Sequence, residues 1–385
     1  MTRANKSHWR AIVLAAALGV VALDARADME APASRNDTVQ ATYDRGTQPG
    51  DVVIFDDVSG GYDTSDPRKW STNAWKCKST TDTSTGACAT QLLWQGWASS
   101  TVIKLLFKEA KTGATAVLNL QGSRRVVYHL DCNNNVQTPV KAELRQAIQV
   151  ATDFYRPACP KITSTGAVLN VEIPAAELKK LPSGGEWNAN LVLDMRSWAH
   201  EQTISVFKAA ITLNVTDKNN IQVYLPEFTN ATPVVDLKLR TLPNGSRLSG
   251  TSNVDMCLYD GYNSQSTWFD VTASDGLTID RRDQGSYSVL LESDKSGAYA
   301  SRVDYNVSLT YAGKKIALPN NETVRLQSVN NSAGRTVSLA GISVPVVCTP
   351  TPLTLETPEF QSVWKRPGKY SNKLTITFTP SSESL

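Results

Sequence analysis

The chain has 385 residues, with 39 Lys and Arg against 36 Asp and Glu, six Cys, nine Trp and three His. Four of those cations (Arg3, Lys6, Arg10, Arg26) and one acid (Asp24) fall in the first 27 residues, which leaves 35 of each sign beyond them. A near-neutral remainder argues against a protein that tracks nucleic-acid phosphates, and no later apolar run approaches the ~20 residues of a membrane span.

The first segment, 1–27, reads as a signal peptide. A basic start is followed by an apolar run over 11–23, too short to span a bilayer, and Ala25-Arg26-Ala27 offers a small-x-small cleavage site. The expectation is an exported chain that begins at Asp28. The next stretch, 28–50, carries Pro and charge throughout without sustained apolar alternation, which predicts a poor strand to lend to another protein.

Beyond it the chain reads as strands: VVIF (52–55), TVIKLLF (101–107), ATAVLNL (114–120), RVVYHL (125–130), AVLNVEI (167–173), NANLVLDM (188–195), AAITLNV (209–215), IQVYL (221–225), VVDLKLR (234–240), YSVLLES (287–293), YNVSLTY (305–311), TVRLQSV (323–329) and ISVPVVC (342–348). Turn chemistry such as Ser59-Gly60-Gly61, Asn244-Gly245 and Ala312-Gly313 separates them. Short strands at this spacing predict antiparallel β-sandwiches, and a mature length near 358 residues is too great for one, so two are expected. One stretch departs from the pattern: Val140, Leu144, Ile148, Ala151 and Tyr155 recur at helical spacing and predict a helix. The polar turn at 217–220 predicts the seam, dividing the chain into 28–217 and 218–385.

Charge does not distinguish the halves, but aromatics do. Six tryptophans (Trp70, Trp75, Trp94, Trp97, Trp187, Trp198) lie in the first; about two in three of them are expected in the core, because large aromatics dominate burial. At the other end, 373–385 reads KLTITFTPSSESL. Leu374, Ile376 and Phe378 share one face, and Lys373, Thr375, Thr377 and Thr379 share the other. A strand so near the chain's end either completes a sheet or is offered to another protein as an edge.

Six cysteines, at 77, 88, 132, 159, 257 and 348, are an even count in an exported chain and read as disulfides. Fifteen pairings are possible on paper; neighbour logic favours Cys77 with Cys88, Cys132 with Cys159, and Cys257 with Cys348. A metal role is not expected, since no CxxC or HxxxH spacing accompanies them. Catalytic patterns are also scarce. His129 and His200 lie in no nucleophile motif, Ile204 stands where HExxH needs its second His, and GxSxG and GxGxxG are absent. Asp56, Asp57, Asp63 and Asp66 cluster around Gly60-Gly61 without EF-hand spacing and read as a solvated turn. Neither an enzyme nor a cofactor is expected.

Five runs carry a family resemblance: IPAAELKKLPSGGEWNANLVL (173–193), VTDKNNIQVYLPEF (215–228), VDMCLYDGYNS (254–264), ISVPVVC (342–348) and ITFTPSSESL (376–385). They resemble the CblD/CfaE family, tip adhesins or pilus-initiating minor subunits of alternate chaperone-usher fimbriae. The likeness spans nearly the whole mature chain and is weakest over 28–130. It implies an all-β protein of two immunoglobulin-like β-sandwich domains in tandem, joined by a short linker: a receptor-binding domain, then a pilin domain whose incomplete sandwich accepts a neighbour's strand. It also implies the neighbour disulfides. The implied partners are a periplasmic chaperone, which would pair with Leu374, Ile376 and Phe378, an outer-membrane usher, the major pilin and a host glycan or glycoprotein. The implied place is the fimbrium tip, reached through the periplasm.

Relatives of the enterotoxigenic type carry three arginines at the pole of the first domain. The matching positions here are Thr72, Ser197 and Trp198, so most of that charge is gone, while Arg196 persists beside them. Arg196 and Trp198, with Arg68, Lys69 and Trp75 nearby in sequence, are the expected receptor residues, suited to an acidic or sulfated sugar. The alternative is a structural initiator that binds no receptor. A secreted glycan-active enzyme on a sandwich scaffold is a third, remoter reading.

Overall fold

The computed structural model describes residues 29–381, apart from 48, 64–65, 67–68, 131–135, 142–143, 153–163, 199–201, 231 and 244, and apart from the side chains of 128–140. The leader, Arg68, Cys132, Cys159, Tyr155, His200 and Asn244 lie outside the described residues, as does the side chain of His129. The chain is nearly all β and forms two domains.

Eleven strands make the first domain: β1 (Met29–Glu30), β2 (Arg35–Asp44), β3 (Val52–Asp63), β4 (Asn73–Lys76), β5 (Thr101–Glu109), β6 (Thr115–Leu130), β7 (Val136–Lys141), β8 (Gln146–Ala147), β9 (Ser164–Ile173), β10 (Gly185–Ser197) and β11 (Ser205–Thr216). They form one sheet in the order β1-β3-β9-β6-β5-β10-β11-β2, with β4 on β10 and with β7 and β8 on β6. Strict alternation along β5, β10 and β11 sends Ile103, Leu105, Phe107, Trp187, Leu191, Leu193, Phe207, Ile211 and Leu213 inward. Phe55 of β3 and Phe207 of β11 are far apart in the strand order, yet their ring centroids are 5.9 Å apart. The sheet therefore curls back on itself, and its two layers enclose a single core.

The second domain contains β12 (Gln222–Tyr224), β13 (Arg240–Thr241), β14 (Arg247–Val254), β15 (Cys257–Tyr259), β16 (Trp268–Ser274), β17 (Tyr287–Leu291), β18 (Arg302–Tyr311), β19 (Lys314–Ala317), β20 (Thr323–Gln327), β21 (Arg335–Val337), β22 (Val346–Pro350), β23 (Leu353–Gln361), β24 (Tyr370–Ser371) and β25 (Thr375–Pro380). Its sheets run β12-β15-β22-β21, β13-β14-β23-β18-β17-β24 with β19 on β18, and β20-β16-β25. The main core gathers Met256, Leu258, Phe269, Val271, Tyr287, Leu309 and Leu326. A smaller cluster surrounds the Cys257–Cys348 disulfide, and the first domain holds a Cys77–Cys88 disulfide. Ala312 and Gly313 both have positive φ, which closes the two-residue hairpin between β18 and β19.

Four sequence expectations give way here. The helix over 140–155 is absent among the described residues: Val140 sits in β7, and β8 follows at 146–147. Of that set Ile148 and Ala151 are buried, in and just past the turn that follows β8, while Leu144 is 53% exposed, so the spacing marks no common helical face. Ser59-Gly60-Gly61 lies inside β3 and makes no turn. The β3–β9 register shifts there, a Cβ on Gly60 would stand 2.8 Å from the Trp75 ring, and Gly61 has φ 91°, so the glycines serve a bulge under a tryptophan. The acidic residues are accordingly split: Asp56 and Asp66 are exposed, but Asp63 is buried and Asp57 is ion-paired to Arg125 and Lys141. VVDLKLR forms no ladder before Arg240, and Lys238 within it has φ 53°.

The domains meet through backbone groups. The Asp217 N–H donates to Gly261 O at 2.9 Å, the Asn263 amide to Gly184 O at 2.8 Å, and the Lys111 ammonium to Ser264 O at 2.6 Å. Gly184 is required at this junction, because a Cβ there would fall 1.9 Å from Gly261 O.

Candidate functional site

The pole of the first domain is built where β4 joins the end of β10. The register pairs Lys76 with Asp194, Trp75 with Met195, Ala74 with Arg196, and Asn73 with Ser197. Alternation then decides what faces water. Trp75 and Met195 point inward; Trp75 is fully buried, with its ring 5.5 Å from Phe207. Trp75 is thus a core residue, which corrects its expected place in a receptor site. Arg196 lies on the opposite, half-buried face, and β10 continues unbroken to Ser197. Trp198, just past the strand, is 46% exposed.

Three links fix this corner. The Thr72 and Ser197 hydroxyls are 2.9 Å apart, and the Trp198 N–H donates to Thr72 O at 3.3 Å. The Trp198 ring lies 5.6 Å from that of Trp94, tilted by 51°. Beneath them the guanidinium of Arg124, fully buried, donates to Ser71 O, to Asn73 O at 2.7 Å, to Thr152 O at 3.2 Å and to Gln146 Oε1 at 3.1 Å. Lys69, another expected receptor residue, is already engaged: its ammonium sits 3.0 Å from the buried Asp63 carboxylate and 4.4 Å from the Trp70 ring centroid. Arg68 lies outside the described residues.

Two tryptophans escaped the sequence reading. Only Trp75 and Trp187 of the six are fully buried, whereas Trp94, Trp97 and Trp198 are 41%, 104% and 46% exposed. The run 91–100 is rich in Gln, Ser and Gly and has no alternation, a signal that could have marked its tryptophans as loop residues.

The second candidate surface is the C-terminal strand. β25 pairs antiparallel with β16, from Phe269 opposite Pro380 to Ser274 opposite Thr375, and β16 is its one neighbour in the sheet. Leu374, Ile376 and Phe378 pack on the second core while remaining partly exposed, and the Phe378 and Phe269 centroids are 5.3 Å apart. The run 233–239 behaves likewise, with Val235 and Leu237 on the same core and Val234 94% exposed.

Residues 24–218 match the family model for the first domain of CfaE, a fimbrial protein of CFA/I, and residues 221–382 match that for its second domain. The chain belongs to the CfaE family. The CFA/I fimbrial protein CfaE of Escherichia coli is 32% identical over 318 residues, covering 80% of this chain and 80% of the relative. The crystal structure of CfaE, the adhesive subunit of CFA/I fimbria of enterotoxigenic E. coli, superposes with a TM-score of 0.77 at 29% identity, covering 92% of this chain and 95% of that one. A chaperone-tip adhesin complex of CFA/I fimbriae biogenesis matches with a TM-score of 0.68 at 29% identity, covering 92% of this chain and 98% of that one. The CfaE-type likeness read from the five sequence runs is thereby established, as is the all-β, two-domain fold.

Proposed function

We propose that this chain is the tip adhesin and assembly initiator of a chaperone-usher fimbria. Its first domain, 28–217, would bind a host glycan or glycoprotein at the pole bearing Arg196 and Trp198. Its second domain, 218–385, would accept a donor strand from the major pilin. No catalytic role belongs to this reading.

An asymmetry between the two chain ends carries the proposal. At the N-terminal end β2 is committed to its own domain, as the parallel partner of β11 over ten registered pairs from Arg35–Phe207 to Asp44–Thr216. Val39, Ala41 and Tyr43 pack on the first core from this strand. A segment held in that way is not available to a neighbour. At the other end, β25 and the run 233–239 both place partly exposed side chains on the second core; among the described residues β25 has one strand neighbour and 233–239 has none. Two such edges on one core suit strand addition, first by a periplasmic chaperone and then, at the outer-membrane usher, by the major pilin. A subunit that accepts a strand and lends none begins a fibre.

The test uses the full mature chain held by its chaperone. A peptide copying the N-terminal extension of the major pilin should displace the chaperone and raise the melting temperature. A peptide copying residues 28–50 of this chain should leave the major pilin's own chaperone complex intact. No displacement in the first experiment, or displacement in the second, would reverse the assigned roles.

A further inference from the structure

Lys69, Lys76 and Lys141 of the first domain sit in ion pairs, whereas the indoles of Trp94, Trp97 and Trp198 are exposed. Lys69 faces Asp63 at 3.0 Å, Lys76 faces Asp194 at 3.9 Å, and Asp57 takes both Arg125 and Lys141. The Thr72 and Ser197 hydroxyls bond each other. Cations already paired in this way offer an anionic ligand little.

The backbone that carries the indoles is also held in place before any ligand arrives. The segment bearing Trp94 and Trp97 is pinned at both ends: the Leu93 N–H donates to Gln149 O at 2.9 Å, the Ala151 N–H to Leu93 O at 2.8 Å, and the Ala147 N–H to Ala98 O at 2.8 Å. Trp198 is fixed by its own N–H on Thr72 O. Two rings 5.6 Å apart and tilted by 51° do not stack on each other face to face, and they remain 41% and 46% exposed. Gln95, exposed between Trp94 and Trp97, supplies an amide that can donate to and accept from hydroxyl groups.

We propose that Trp94 and Trp198 form the stacking platform of the receptor site, and that its ligand is an uncharged saccharide. A pyranose offers C–H faces for the indoles and hydroxyls for the neighbouring amide and hydroxyl groups, and it needs no counter-charge. This inference rests on the adhesive role proposed above for the first domain, and it replaces the acidic or sulfated sugar expected from sequence. Rigid aromatic anchors also keep the ordering cost of binding low.

The full mature chain, complemented with a donor peptide so that it is stable, is applied to an array of neutral oligosaccharides and their sialylated and sulfated counterparts. Binding should favour neutral glycans and persist at about 0.5 M salt, where exposed charge pairs are screened. Trp94→Ala and Trp198→Ala, checked for unchanged melting temperature, should each weaken it by roughly tenfold or more, as expected for a central aromatic anchor. Trp94→Phe should retain part of the affinity. Binding confined to anionic glycans and lost in salt would overturn the ligand class and leave the adhesive role standing. Neutral binding that survives both alanine substitutions would place the platform elsewhere. Failure to bind any glycan, with piliated cells that do not adhere, would remove the adhesive role as well.

Discussion

The hydroxyls of Thr72 and Ser197 stand 2.9 Å apart and tie the segment before β4 to the end of β10. The next residue, Trp198, is brought to the same corner by its backbone N–H on Thr72 O. What holds that corner is Arg124, whose acceptors lie on both sides of it, at Ser71 and Asn73 and at Gln146 and Thr152.

Arg124→Met should therefore cost more than its buried methylenes suggest. The apolar stem is retained, but buried carbonyls lose a charged donor, so a loss of about 3 kcal/mol or more is expected. Chemical denaturation of the full chain measures it. Tryptophan emission should shift as well, because Trp198 hangs from Thr72. A variant as stable as the parent, with unchanged emission, would mean that the corner is held by other contacts.

The N-terminal strand makes a second prediction. Val39 packs on the first core from β2, so Val39→Asp places an unpaired carboxylate against apolar neighbours and should destabilise the first domain by about 2–4 kcal/mol. An extension free to be lent away would tolerate the change. Thermal melts separate the outcomes: an unaltered first-domain transition would show that β2 contributes nothing to the fold.

How much of this was legible in the sequence depends on alternation. Leu374, Ile376 and Phe378 were readable as one face because period two survives even on a half-covered strand. The pairings Cys77–Cys88 and Cys257–Cys348 followed from neighbour logic. Trp75 did not, because NAWK is too short to show which side of β4 faces the core; that is set by its register against Met195. Trp94 was harder still, since its contact with Trp198 joins residues 104 positions apart through two loops. The run 140–151 misled because burial at 148, 150 and 151 comes from a turn and an isolated bridge, which imitate helical spacing.

Acid stability should report on Asp57. Burial raises its pKa, but hydrogen bonds from Arg125, Asn170 and Lys141 outweigh that and hold it down at about 2. A depressed folded-state value means that this carboxylate stabilises the fold fully above the unfolded value of about 3.9, with the benefit lost as pH falls through about 2. Asp57→Asn should cost about 1–3 kcal/mol at neutral pH and flatten the decline of stability between about pH 4 and 2. Urea midpoints across that range test it; an unchanged slope would show that Asp57 is not tied to β6, β7 and β9 as its partners indicate.

The most demanding prediction concerns the free edge of β25. Ile376 and Phe378 face the core and Thr377 faces out, so substitutions on the two faces should differ sharply although all touch one strand. Ile376→Asp with Phe378→Asp should abolish the complex with the periplasmic chaperone, because an added strand needs both the main-chain edge and the apolar face beside it. Thr377→Asp leaves that face and the β16 ladder in place and should co-purify with chaperone at the parent's level. Ile376→Ala keeps the strand apolar and should give an intermediate yield, which separates loss of docking from outright misfolding. Normal recovery of the double Asp variant would rule out strand addition at this edge. Equal loss for Thr377→Asp would show that the chaperone reads the outer face of the strand instead.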